Sequence, residues 1–275
     1  MRINTNVAAL QGSRNLTNNT RETEASFAKL SSGERITKAA DDASGLGISE
    51  KLKAGIRSGK QASRNANDGI SLVQVAEGGL HEASSLLIRM RELAMQSASD
   101  TVGDSDRENS DKEYQQILNE LDRISQTTEF NGHKLLNGSS PKLDFQVGLN
   151  ADPSENTISY NAQNVNSGTA ALGISNDSIR SKFNAQSSLG KLDAAISNIS
   201  SQRAQIGSIQ NRLTVSSSNM DVYTENMSSA NSRIRDVDVA EESAKLTKGN
   251  ILSAAGTSVL AQANQLGQSA LKLIG

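Results

Sequence analysis

The sequence predicts a mainly α-helical fold, a long antiparallel helical bundle or coiled-coil rod with a small β-hairpin region. Three observations predict it. Aromatic residues make up 3% of the 275-residue chain and Trp is absent, so burial must come from thin apolar seams rather than a thick core. Pro occurs only at Pro141 and Pro153, which leaves long stretches free to be helical. Finally, Leu192, Ile199, Ile206, Leu213, Met220, Met227 and Ile234 each fall seven residues after the one before. A weaker stripe follows three residues behind, at Ala195, Ile209, Tyr223, Ala230 and Val237. A heptad sustained this long means a helix whose seam winds around a partner. From Leu192 to Ile234 it would span roughly 60 Å at the helical rise, which suits a rod.

The other elements can be taken in chain order. Ile3, Val7 and Leu10 open an apolar stripe that Leu16, Thr20, Thr23, Phe27 and Leu30 continue weakly. Leu30-Ser31-Ser32-Gly33 reads as a helix end with glycine just beyond it. Glu34 to Gly47 reads as an irregular linker. A long helix is expected from about Ser49 to Ser99, carrying Leu52, Ile56, Ile70, Val73, Leu80, Leu87 and Leu93. Asp104-Ser105-Asp106 has turn and N-cap chemistry, and another helix is expected over roughly Arg107 to Glu129. Asn131-Gly132 and Asn137-Gly138 are turn signals. Leu143, Phe145 and Val147 alternate, as do Ile158 and Tyr160, with Asp152-Pro153-Ser154 between them. That pattern is a β-hairpin within about 139–176. Helix is expected to resume near Ser178. A second heptad run, Leu252, Val259, Leu266 and Leu273, is out of phase with the first. The helix therefore either turns its apolar face or breaks in the interval holding Arg235-Asp236-Val237-Asp238 and Gly249. The expected organisation is a terminal helix and linker over 1–43, helices plus hairpin over 44–180, a long helix over 181–234 and a terminal helix over 235–275.

Composition also excludes several functions. The net charge of −2 gives no basic face for nucleic acid. No stretch approaches the ~20 apolar residues of a membrane span, so membrane insertion is not expected. The start, Met1-Arg2-Ile3-Asn4-Thr5-Asn6-Val7, lacks the roughly 7–15-residue apolar run of a secretory signal. Either the chain stays in the cytoplasm or it leaves by a route without a cleaved signal. Cys is absent, which removes disulfides, thiolate ligands and thiol nucleophiles.

No catalytic residue, metal ligand or cofactor is expected. His81-Glu82-Ala83-Ser84-Ser85 lacks the second histidine of a zinc-protease helix. Gly45-Leu46-Gly47 is a fragment of a phosphate-loop pattern with no strand before it, and reads as a flexible linker. Asp41 and Asp42 with Arg35 and Lys38 are read equally as a solvated linker or as intersubunit ion pairs. The apolar heptad from Leu192 to Ile234 is expected to be intramolecular core. Ile3, Val7, Leu10, Leu252, Val259, Leu266 and Leu273 are expected to pack between molecules, because two isolated terminal helices have no core of their own.

Several segments, in order, resemble the bacterial flagellins. They are Ile3-Asn4-Thr5-Asn6, Leu30-Ser31-Ser32-Gly33-Glu34-Arg35-Ile36, Ala39-Ala40-Asp41-Asp42-Ala43-Ser44-Gly45, and Ser63-Arg64-Asn65-Ala66-Asn67-Asp68-Gly69-Ile70. Arg91-Glu92-Leu93-Ala94, Phe130-Asn131-Gly132, Ser232-Arg233-Ile234-Arg235-Asp236 and Ala255 to Gln265 follow. The resemblance covers about Met1–Gly138 and Leu189–Gly275. It implies a structural, non-enzymatic subunit of an extracellular flagellar filament, assembled with itself or with other flagellins through paired terminal helices. It implies export, unfolded, through the flagellar type III apparatus, with an export chaperone on the C-terminal segment. Filament cap and hook-junction proteins are implied partners at the filament ends. The stretch holding Arg89, Glu92, Leu93 and Gln96 is similar to the surface by which a host Toll-like receptor recognises many flagellins. Between Gly138 and Leu189 there is room for a hairpin and a loop but not for large outer domains. A hook–filament junction protein shares the terminal helices but usually diverges across Arg64–Gly69 and Arg91–Ala94, which are intact here. An intracellular coiled-coil scaffold would not need the terminal motifs.

Overall fold

The computed structural model describes residues 6–272, with side chains described for residues 6–265. The elements are α1 (Val7–Ser32), α2 (Ala43–Ser97), α3 (Asp104–Thr127), β1 (Glu129–Phe130), β2 (His133–Lys134), β3 (Lys142–Gln146), the single turn α4 (Pro153–Asn156), β4 (Thr157–Asn161), α5 (Lys182–Arg235) and α6 (Val239–Lys272). They form two compact units. A central unit spans Arg57–Thr224, and a terminal unit joins the residues up to Ile56 with those from Glu225 onward.

In the central unit, α2 runs antiparallel to α5. Partners on α5 step back as α2 advances, from Ser63 with Ser217 and Asp221, through Glu77 with Arg203, to Arg91 with Asp193. Between them Ala66, Val73, Ala76, Leu80, Ala83, Leu87, Met90 and Ala94 of α2 recur at helical spacing and are buried, as are Leu192, Ala195, Ile199, Ile206 and Leu213 of α5. Of the heptad's last three members, Met220 in this unit and Met227 and Ile234 in the terminal unit are half-buried. α3 folds back on α2 and adds Tyr114, Leu118 and Leu121 to the same core.

Boundaries depart from the sequence expectation where side chains outbid local propensity. Helix α2 starts at Ala43 because Asp42 caps it, accepting from the Gly45 N–H at 2.8 Å. Helix α3 starts at Asp104, with Gly103 at the cap position and no side-chain cap. The Asp104 carboxylate instead pairs with Arg107 at 2.7 Å. β3 and β4 pair antiparallel in the expected place, with Leu143 opposite Tyr160 and Phe145 opposite Ile158. A second, minimal hairpin of β1 and β2 turns on Asn131-Gly132, both with positive φ (50° and 79°). The Tyr160 hydroxyl donates to the Leu135 carbonyl at 2.8 Å and ties the two hairpins together.

Helix does not resume at Ser178 but at Lys182, because carboxylates of α3 hold the preceding segment. Asp122 accepts from the Thr169 N–H and hydroxyl, both at 2.8 Å. Asp111, with its side chain 2% exposed, accepts from the Ile179 N–H (2.8 Å), the Ser178 hydroxyl (2.9 Å) and Arg180 Nε (2.9 Å). Asp177 takes the Lys191 ammonium at 2.5 Å. A stretch without regular structure thus has its polar groups satisfied by a neighbouring helix.

In the terminal unit, α1 is capped at one end by the Asn6 side chain and at the other by Gly33 in the left-handed conformation. The break between α5 and α6 lies at 236–238, where Asp238 caps α6 through the Ala240 N–H at 2.9 Å. Gly249 is not a break point. It lies inside α6 and is buried there.

Burial works against the charge of Asp111, yet its three donors hold its pKa below the ordinary value of 3.8. A carboxylate held low by folding stabilises the fold above its unfolded pKa, and that contribution is lost as pH falls through the folded pKa. Asp111→Ala is expected to lower the central unit's stability at neutral pH by about 1–3 kcal/mol. The gap between variant and parent should shrink in acid below the ordinary value. Thermal melts by circular dichroism across pH check this, and a gap that stays constant into acid would sink the assignment.

Candidate assembly surface

Helices α1 and α6 are antiparallel and meet along a seam in which three leucines are set among small and polar residues. On α1 the seam is Ala9, Gly12, Leu16, Asn19, Thr23 and Ser26; on α6 it is Glu242, Leu246, Gly249, Ser253, Gly256, Leu260 and Ala263. All are buried or half-buried, and their spacing of three and four is that of a coiled-coil seam. Each glycine receives a side chain from the other helix. A Cβ on Gly12 would lie 3.2 Å from Leu260 Cδ1, one on Gly256 3.4 Å from Leu16 Cδ1, and one on Gly249 2.5 Å from Thr23 Oγ1.

Side-chain amides pin the register. Asn19 Nδ2 donates to the Gly249 carbonyl at 2.7 Å and Asn6 Nδ2 to the Ala263 carbonyl at 2.9 Å. The hydroxyl of Ser26, with Lys245 at 3.3 Å, holds the buried Glu242 carboxylate below its usual range against the opposing effect of burial. The pair therefore coheres through close approach and hydrogen bonds and covers little apolar area.

The apolar stripe expected to mediate assembly lies elsewhere on these helices. Val7 is 60% exposed, Leu10 61%, Leu252 49% and Val259 59%. At about 100° per residue, Val7 and Leu10 point away from the seam of α1, while Leu252 and Val259 sit about a quarter-turn from that of α6. Phe27 and Ile251 are exposed as well. Ile3, Leu266 and Leu273 lie outside the residues whose side chains are described. Large apolar side chains are thus left open on the outside of the helix pair. Among the described residues no His, Asp and Glu cluster has metal-binding geometry, and no helix is long and apolar enough to cross a membrane.

The two connections of the terminal unit are tied together around Arg235. Its guanidinium meets Glu34 at 2.9 Å and Glu50 at 2.6 Å, and Glu34 also faces Lys53 at 3.5 Å. Backbone bonds run from Arg35 N to the Arg235 carbonyl (2.6 Å) and from Val237 N to the Gly33 carbonyl (3.0 Å). Arg35 and Asp41 are engaged within the chain: Arg35 donates to the Ile234 carbonyl at 2.7 Å, and Asp41 accepts from the Thr37 and Lys38 N–H groups.

In the central unit, Arg89 pairs with Glu113 at 2.8 Å and with Glu92 at 3.1 Å. Glu92 and Gln96 are exposed, but Leu93 is 3% exposed and packs in the core, so it offers nothing to a partner on the surface. The sequence reading missed Gly12, Asn19 and Gly256 as contact points, placed Thr23 in a weak apolar stripe and read Gly249 as part of a junction. The signal available was the recurrence of small or short polar residues at seven-residue intervals, Gly249–Gly256–Ala263 and Gly12–Asn19–Ser26.

Comparison with known proteins bears on this surface. Residues 3–141 match the family model described as the bacterial flagellin N-terminal helical region, and residues 189–274 that of the C-terminal helical region. The chain is 43% identical over 274 residues to a flagellin of Halalkalibacterium halodurans and 42% identical over 308 aligned positions to a flagellin of Bacillus subtilis, with both chains fully covered in each case. The crystal structure of Bacillus cereus flagellin superposes with a TM-score of 0.51 at 32% identity, covering 57% of this chain and 88% of that one.

The seam predicts its own compensation. Gly249→Ala should loosen α1 from α6, because overpacking costs about 1–3 kcal/mol, offset in part by the roughly 0.5–1 kcal/mol that Ala gains over Gly in a helix. Adding Thr23→Ala removes the clashing hydroxyl and should restore most of the loss. Hydrogen exchange along α6 in the two single variants and the double variant measures the coupling; strictly additive effects would mean the two residues do not meet.

Proposed function

The chain belongs to the bacterial flagellins, and on that premise we propose that it polymerises through the apolar faces that α1 and α6 leave uncovered. It is a structural subunit of the extracellular flagellar filament, not an enzyme, and it assembles with copies of itself. The observation that carries the proposal is the exposure of Val7, Leu10, Leu252 and Val259 on helices whose mutual seam holds only Leu16, Leu246 and Leu260 as large apolar residues among small and polar ones. Burying these faces against neighbouring copies supplies apolar area that the pair lacks by itself. Contacts between unlike faces of successive copies do not close on themselves, so they extend into a helical filament. Ordering of the terminal helices is then coupled to assembly.

The finer partners follow from the same surfaces. The open face of α6 suits a cytosolic export chaperone, which would keep it from premature association before export through the type III apparatus. Cap and hook-junction proteins would engage the terminal helices at the filament's two ends. Arg89, Glu92 and Gln96, without Leu93, form the exposed part of the stretch offered to a host Toll-like receptor by the free subunit.

Leu252→Asp with Val259→Asp is expected to abolish filaments grown with ammonium sulfate, which strengthens apolar burial, as seen by negative-stain electron microscopy. Circular dichroism should show the central unit still helical. Filaments of normal length and yield from the double variant would rule out this face as the polymerising one.

A further inference from the structure

Deamidation of asparagine is fastest where glycine follows, because the glycine nitrogen is unobstructed by a Cβ. This chain has two such pairs, Asn131-Gly132 and Asn137-Gly138, and the fold treats them differently. Asn131 is exposed at the tip of the β1–β2 turn, and its side chain makes no hydrogen bond among the described residues. Nothing approaches within 4 Å of the Cβ position of Gly132. The strands beneath it are two residues each, paired Glu129–Lys134 and Phe130–His133, with one further backbone bond from the Leu135 N–H to the Thr128 carbonyl (3.1 Å) and an ion pair between Lys134 and Glu129. The tip of so short a ladder opens more readily than a buried segment. Asn137 is half-buried beside the fully buried Leu135 and Leu136. Its Oδ1 accepts from the Ser139 N–H (3.0 Å) and hydroxyl (2.7 Å), and its backbone is bridged to Asn166. Asn166 Nδ2 also sits 2.9 Å from the Cβ position of Gly138.

We propose that Asn131 is a site of spontaneous deamidation to aspartyl and isoaspartyl residues, and that the fold protects Asn137. The Gly132 nitrogen attacks Cγ of Asn131; the bond from Cγ to the side-chain nitrogen breaks, and ammonia leaves carrying the proton released by Gly132. The resulting succinimide adds water at either carbonyl. Opening at Cγ gives aspartate, and opening at the main-chain carbonyl gives isoaspartate. No oxidant or cofactor is required. The left-handed turn must open before attack, so the rate reports hairpin opening. The product places a negative charge at the tip, and the isoaspartyl form inserts an extra backbone atom into a two-residue turn whose length sets the pairing register.

The test uses the full-length, unpolymerised chain held in warm, mildly alkaline buffer. Peptide mapping by mass spectrometry follows each asparagine, and an isoaspartyl-specific methyltransferase with labelled S-adenosylmethionine counts the isoaspartyl product. In the folded chain Asn131 is expected to react at least about tenfold faster than Asn137, the difference reflecting local opening, and the two rates should converge in denaturant. Asn131→Asp, a change at an exposed turn, should remove the fast phase of ammonia release. Equal rates in the folded chain, a silent folded Asn131, or fast release persisting in the variant would each overturn the proposal.

Discussion

Close approach of α1 and α6, set by Gly12, Gly249 and Gly256, is the constraint from which the terminal unit follows. Two helices with glycine at their contact points come near enough for Asn19 and Asn6 to reach backbone carbonyls on the partner helix. Such a seam fixes register through hydrogen bonds while burying little apolar surface. Leu16, Leu246 and Leu260 lie in the seam, while Val7, Leu10, Leu252 and Val259 remain outside it. The small residues at the seam and the exposure of Val7, Leu10, Leu252 and Val259 are one feature seen from two sides.

The central unit solves the same shortage of apolar bulk differently. Its helices do share an apolar core, from Leu80 to Met90 and from Leu192 to Leu213. Where the chain leaves regular structure between β4 and α5, carboxylates on α3 replace apolar burial. Asp111 and Asp122 lie eleven residues apart on α3, about three helical turns, and each holds a separate stretch of the irregular segment. Arg107 plays a matching part near the start of α3, donating to the carbonyls of Ser97 and Ser99, both at 2.9 Å.

What could be read in the sequence was whatever repeats in hydropathy. The Leu192 heptad, the β3–β4 alternation and the Gly33 stop were legible because each rests on local periodicity or backbone conformation. The α1–α6 seam was not, since Gly, Ser, Asn and Thr carry no hydropathy signal and their meaning depends on a partner more than 200 residues away. Gly249 illustrates the point: alone it reads as a weak spot in a helix, and opposite Thr23 it is a socket. The delayed start of α5 was equally hidden, because Ser178 to Arg180 carry no local signal against helix and their donors are claimed by Asp111 from another element. Leu93 was misplaced because a motif names residues without saying which way a helix faces.

The knot around Arg235 has a mechanical consequence. The segments 33–42 and 236–238 are the only covalent routes from α1 and α6 to the rest of the chain. Because Glu34 and Asp236 are bridged, and Arg235 grips Glu34 and Glu50 at once, tension applied to either connection is carried by both. Several bonds must rupture together before one strand can be drawn out alone. The cross-tie gives two thin connections the load-sharing of a stitched seam in place of a single thread.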